Sequence, residues 1–129
     1  MTLPDYIKDI ADFLQSNFIG TLGTDVFIGG FDTPPNCISV NAVTGSRQQT
    51  ATGGDVLYQP ELNIGVRDKS GKAAELKVRA IHTLLNLQTN KIIGSTRFQR
   101  IEAIADPFLV SKSEQEGTIY SINFHLKLY

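Results

Sequence analysis

Tryptophan is absent from this 129-residue chain, which also has only one cysteine, one methionine and two histidines. A lone Cys37 forms no disulfide within the chain, so cysteine usage gives no sign of an oxidising compartment. The pattern contains no C-x-x-C, H-E-x-x-H or H-x-H, and a zinc site therefore has no support. Neither sign of charge dominates: 12 basic residues stand against 13 acidic ones, a formal net charge of -1. That balance excludes a broad basic footprint, and no sequence-specific nucleic-acid partner is expected. Long apolar runs are missing too. Nothing approaches the roughly 20 residues that span a bilayer, so no membrane partner is expected. The opening Met-Thr-Leu-Pro-Asp-Tyr lacks a basic stretch followed by an apolar one, and no signal peptide is expected.

Catalytic patterns are equally scarce. Cys37 follows Pro34-Pro35-Asn36 at the start of a strand candidate, where a free cysteine reads as a small buried hydrophobe more readily than as a nucleophile. No G-x-S-x-G occurs. Gly20-Thr-Leu-Gly23 precedes a strand instead of following one, and Gly53-Gly54 lacks a following Lys-Ser/Thr, so both read as turns and not as phosphate cradles. His82 and His125 fall on polar stripes and read as surface residues. Lys69, Lys72, Lys77 and Arg79 are interleaved with Asp68 and Glu75, the pattern of a solvated face. The expectation is no catalytic residue, no cofactor, no metal and no enzyme activity.

What the chain does have is the making of one globular domain over residues 1–129, with 41% hydrophobic and 19% charged residues. Leu3, Ile7, Ile10, Ala11, Leu14 and Phe18 recur at helical spacing and predict a helix over 3–18, with Thr2 and Asp5 as a capping arrangement. Val26-Phe27-Ile28 reads as a short strand and Cys37–Val43 as a second. Thr44–Asp55 holds no large apolar side chain and reads as a long exposed loop. Val56–Arg67 alternates like one half-buried strand, with an edge position or bulge at Pro60. A second helix is predicted over Lys72–Gln88. Its apolar arc is wide: Leu76, Leu87, Ala80, Ala73 and Leu84 on one side, extended by Ile81, Ala74, Leu85 and Val78, more than one sheet face needs. The excess fits the first helix or a neighbouring subunit. Arg97–Ala105 reads as a strand, Phe108–Gly117 as a polar connection, and Tyr120 to Leu128 as a strong final strand. The order α-β-β-β-α-β-β predicts an α+β fold, a mostly antiparallel β-sheet with two α-helices packed on one face.

Four stretches carry a resemblance beyond that fold class. They are the opening helix leading into Leu22-Gly23-Thr24-Asp25-Val26-Phe27, then Thr33-Pro34-Pro35-Asn36-Cys37-Ile38-Ser39-Val40, then Tyr58-Gln59-Pro60-Glu61-Leu62-Asn63-Ile64-Gly65-Val66-Arg67, and finally Tyr120 to Tyr129. In this order and spacing the chain resembles the phage minor capsid and tail terminator family, the lambda-type terminators of long-tailed phages. Ser111-Lys-Ser-Glu-Gln-Glu-Gly117 departs from the Gly-Arg or Asp-rich turn that members carry there. The resemblance implies a virion structural protein, assembled in the host cytoplasm, that forms a ring of its own copies, typically a hexamer. Such a ring caps the head-proximal end of the tail tube and stops its polymerisation. Its implied partners are the tail-tube protein and a head connector or head-completion protein; the alternative is another connector component. A head-to-tail ring needs a surface that binds its own copy and closes. The residues expected at subunit or tail-tube contacts are Arg67, at a strand end beside a helix start, Arg47, Gln48 and Gln49 in the exposed loop, and Glu75 and Arg79 on the second helix.

Overall fold

The computed structural model describes residues 6–17, 19–20, 23–31, 34–43, 49–52, 55–58, 60–113, 115 and 117–128. Helix α1 spans Tyr6–Ser16 and α2 spans Gly71–Leu85. The strands are β1 (Val26–Ile28), β2 (Cys37–Ala42), β3 (Gln49–Thr52), β4 (Asp55–Tyr58), β5 (Glu61–Asp68), β6 (Gln88–Ile93), β7 (Thr96–Ala103), β8 (Phe108–Ser113) and β9 (Gly117–Leu128). They form one nine-stranded sheet. No helix among the described residues is long and apolar enough to cross a membrane.

The α+β reading holds, with more strands than the periodicity predicted. Val56–Arg67 is not one strand: the chain breaks before Pro60, whose nitrogen has no hydrogen to donate, into β4 and β5. Part of the expected loop is β3, paired with β4 from Gln49↔Tyr58 to Thr52↔Asp55. Residues 44–48 and the proposed cap at Thr2 and Asp5 lie outside the described residues. The expected polar connection after Pro107 is β8, and β6 follows α2 where no strand was expected. One pairing departs from the mostly antiparallel pattern: β1 runs parallel to β2.

Strand β9 organises the sheet. It pairs antiparallel with β5 along eight residues, from Glu61↔His125 to Asp68↔Thr118. On its other side its first half pairs with β8 and its second half with β7. Alternation then separates the side chains. Ile38, Val40, Leu62, Ile64, Val66, Ile122 and Phe124 share one face and are buried there. Ile10, Ala11 and Leu14 of α1 and Ala74, Val78, Ile81 and Leu85 of α2 close over that face in a single core.

Both helices are tied at their ends. The Ser70 hydroxyl accepts from the Ala73 amide at 3.2 Å, satisfying one of the open donors at the start of α2. At the far end Asn86 donates its amide to the His82 carbonyl and accepts from the Ala103 amide at 2.8 Å, joining α2 to the end of β7. The Asp9 carboxylate of α1 accepts from the Ser95 amide at 3.2 Å and from the Thr96 hydroxyl, holding α1 against the β6–β7 turn.

Candidate functional site

The face of the sheet away from the helices is polar, and its centre is a hydrogen-bonded row. Asn41, Asn63 and Asn123 lie directly opposite one another on β2, β5 and β9. Asn41 Nδ2 donates to Asn63 Oδ1 at 3.1 Å, and Asn63 Nδ2 donates to Asn123 Oδ1 at 2.8 Å and to the Ser121 hydroxyl at 2.6 Å. The Ser39 hydroxyl closes the row on Asn41 Oδ1 at 2.8 Å. Each member satisfies its neighbour without a charge, which suits partly buried polar groups. In the sequence Ser121, Asn123 and His125 alternate with the apolar residues of the final strand. The row itself depends on register between strands up to 60 residues apart, a signal no local pattern holds.

At one end of this face Gly65 makes room for an aromatic ring. A Cβ there would lie 2.9 Å from Cζ of Phe31, so the ring lies directly over the backbone. Arg67 covers the ring from beyond, its guanidinium carbon 4.9 Å from the centroid. Its Nη2 also donates to the Pro34 carbonyl at 2.8 Å and to Cys37 Sγ at 3.4 Å. Arg67 thus fastens the Phe31–Pro34 segment to β5 of its own chain. Cys37 is fully buried under it.

The other residues named from the sequence fall in two places. Glu75 and Arg79 lie one turn apart on α2 and form an exposed pair at 3.1 Å. Gln49 opens β3, while Arg47 and Gln48 lie outside the described residues. The structure therefore brings Glu75 and Arg79 together on α2, while Arg67 lies on β5 with Pro34 and Cys37. Among the described residues no group of three or more His, Cys, Asp or Glu is placed to hold a metal ion.

The surface that sequence reasoning missed is β8. Phe108, Leu109 and Val110 are about half exposed, at 45%, 52% and 55%. The strand pairs only with β9, which leaves a backbone edge open among the described residues. Leu76, 59% exposed, faces it from α2. Together with Leu109, Tyr120, Lys72, Glu75 and Lys112 it lines a cleft of about 420 Å³ between α2 and β8. An adjoining hollow of about 590 Å³ carries Lys69, Lys72 and Lys112. The wide arc of α2 is explained here. Ala74, Val78, Ile81 and Leu85 face the core, and the Leu76 side is left over. An apolar strand with an open edge is a surface that monomeric proteins normally protect.

The comparisons with known proteins agree with an assembly protein. Residues 13–129 match the family described as bacteriophage tail terminator protein. The chain belongs to that family. It is therefore a structural protein of a bacteriophage tail. No curated protein matches it. Among solved structures, a chain from a structure titled "Virion of native gene transfer agent (GTA) particle" is similar in fold, with a TM-score of 0.60 and 12% identity. The similarity covers 82% of this terminator-family chain and 79% of the other.

Proposed function

We propose that this protein caps the head-proximal end of the phage tail tube, stops its polymerisation and forms the joining surface for the head. In this reading copies close into a ring, a hexamer in the virion, between the tail-tube protein and a head connector or head-completion protein. The family match over residues 13–129 carries the reading. The open apolar strand β8 and the leftover side of α2 supply what a closed ring demands, a surface unfinished in the single chain. Glu75 and Arg79 flank Leu76 at such a boundary. Arg47, Gln48 and Gln49 lead into the β3–β4 ribbon, whose only register pair on the rest of the sheet among the described residues is Tyr58↔Leu128, and the ribbon reaches for the tube. Arg67 contributes by holding Phe31 and the Pro34 turn in place.

The test is mass by light scattering over a concentration series, alone and with tail-tube protein, with negative-stain images of each sample. Closed rings, free or at the ends of tubes of fixed length, are expected. A strict monomer that leaves tube growth unchanged overturns the reading, and long polymers of the chain itself would assign it to the tube instead. Deleting residues 45–54 is expected to leave the melting temperature nearly unchanged and to abolish capping, because that stretch has no large apolar side chain to pack.

A further inference from the structure

We infer that neighbouring copies join by their sheet edges, β8 of one copy against β1 of the next, so that one continuous sheet runs through the assembly. This rests on the ring reading and names its contact.

The central sheet reads β1-β2-β5-β9-β8 across; among the described residues β8 pairs with β9 alone and β1 with β2 alone, and because the outward Val26 carbonyl already accepts from the Gly23 amide at 2.9 Å, the open part of the β1 edge is at Ile28. Directions follow from the pairings. Strand β1 is parallel to β2, which is antiparallel to β5, which is antiparallel to β9, which is antiparallel to β8. So β1 and β8 run oppositely. When copies repeat by rotation about an axis along the strands, β1 of each copy meets β8 of the last as an antiparallel pair. That pairing uses backbone groups that would otherwise face water, the mode by which an added strand binds a sheet edge.

The side chains match face by face. On the helix side, Ile28 lies in register with core residue Val40 yet is 49% exposed. Leu109 lies in register with Tyr120 on that same side and borders the cleft with Leu76. On the opposite side, Phe27 is level with Ser39 and Phe108 with Ser121. An edge-to-edge union therefore sets Ile28 toward the Leu76–Leu109 cleft and Phe27 toward Phe108. Charge agrees as well. Lys69, Lys72 and Lys112 at the β8 edge make no ion pair among the described residues. The residue just ahead of β1 is acidic, Asp25. The two edges differ, so the contact is heterologous and repeats from copy to copy.

The test uses two full-length variants, Leu109→Lys and Ile28→Lys, each at a side chain about half exposed and outside the core. Light scattering is run on the wild type, on each variant and on an equimolar mixture, with circular dichroism to check folding. The wild type is expected to form rings and each variant to stay monomeric. The mixture is expected to stop at dimers, since one intact β1 and one intact β8 remain to meet. Rings from either variant alone, or a mixture of two folded variants that stays monomeric, overturn the inference while leaving the ring reading intact. A wild type that is monomeric with and without tube protein overturns both. Should a lysine variant fail to fold, a Cys37→Ala chain carrying Phe27→Cys and Phe108→Cys is treated with a short thiol crosslinker. A ladder of covalent oligomers is expected; single chains only, under conditions where rings are imaged, overturn the inference.

Discussion

Strands β5 and β8 flank the same strand and have opposite fates. Leu62, Ile64 and Val66 of β5 are fully buried beneath the helices, and its other face carries Asn63 in the amide row. Phe108, Leu109 and Val110 of β8 are no less apolar, but about half of each is in water. Composition does not separate them. What separates them is cover: β5 has a strand on both edges and α2 above it, whereas β8 has one strand and a shallow cleft. The buried core of the single chain is concentrated around β5 and β9, and much apolar surface is left in water at β8.

Substitutions that respect this division should split cleanly by readout. The largest loss is expected from Phe124→Ala in β9, opposite Leu62, which should cost about 3–5 kcal/mol and lower the thermal midpoint sharply, as read by calorimetry. A smaller loss would mean that the core relaxes around the gap. Next comes Asn63→Ala. It strands Asn41 Nδ2 and Asn123 Oδ1 on a partly buried face and should cost about 1–3 kcal/mol in urea unfolding. Leu109→Lys should change the stability of the chain by about 0.5 kcal/mol or less, because its side chain is half in water already. A large loss there would show that β8 belongs with the core. Smallest is the Glu75–Arg79 pair, both partners exposed, whose coupling in a double-mutant cycle should be about 0.3–0.5 kcal/mol.

How much of this was legible in the sequence follows the same division. Ile10 and Leu14, Val78 and Ile81, and the alternation from Tyr120 to Leu128 revealed their elements because burial on one side imposes a period. Phe108-Leu109-Val110 followed by Ser-Lys-Ser has no period, because neither face of β8 is buried in the chain alone. In the β6 sequence Gln-Thr-Asn-Lys-Ile-Ile only Ile93 is buried, and one buried position sets no period. The surplus apolar side of α2 was visible, and Leu76 proved to be part of it. Its counterpart across the cleft was not, since Leu109 reaches Leu76 only through the pairing of β8 with β9. Arg67 was singled out for a subunit contact, but its bonds to Pro34 and Cys37 depend on the chain crossing back beneath it.

The position of β9 also sets a timetable. Every strand that pairs with it comes earlier in the chain, and its register with β5 joins Asp68 to Thr118 and Glu61 to His125. During synthesis β5 must therefore wait, with its apolar face uncovered on one flank, until β9 has left the ribosome. Contacts closed across such separations make for slow folding, on the order of milliseconds to seconds. The open β8 edge is built in the same step, because β8 has nothing to lie against before β9 arrives. A chain that has not yet made β9 cannot offer a finished β8 edge, so any contact through that edge must wait for β9.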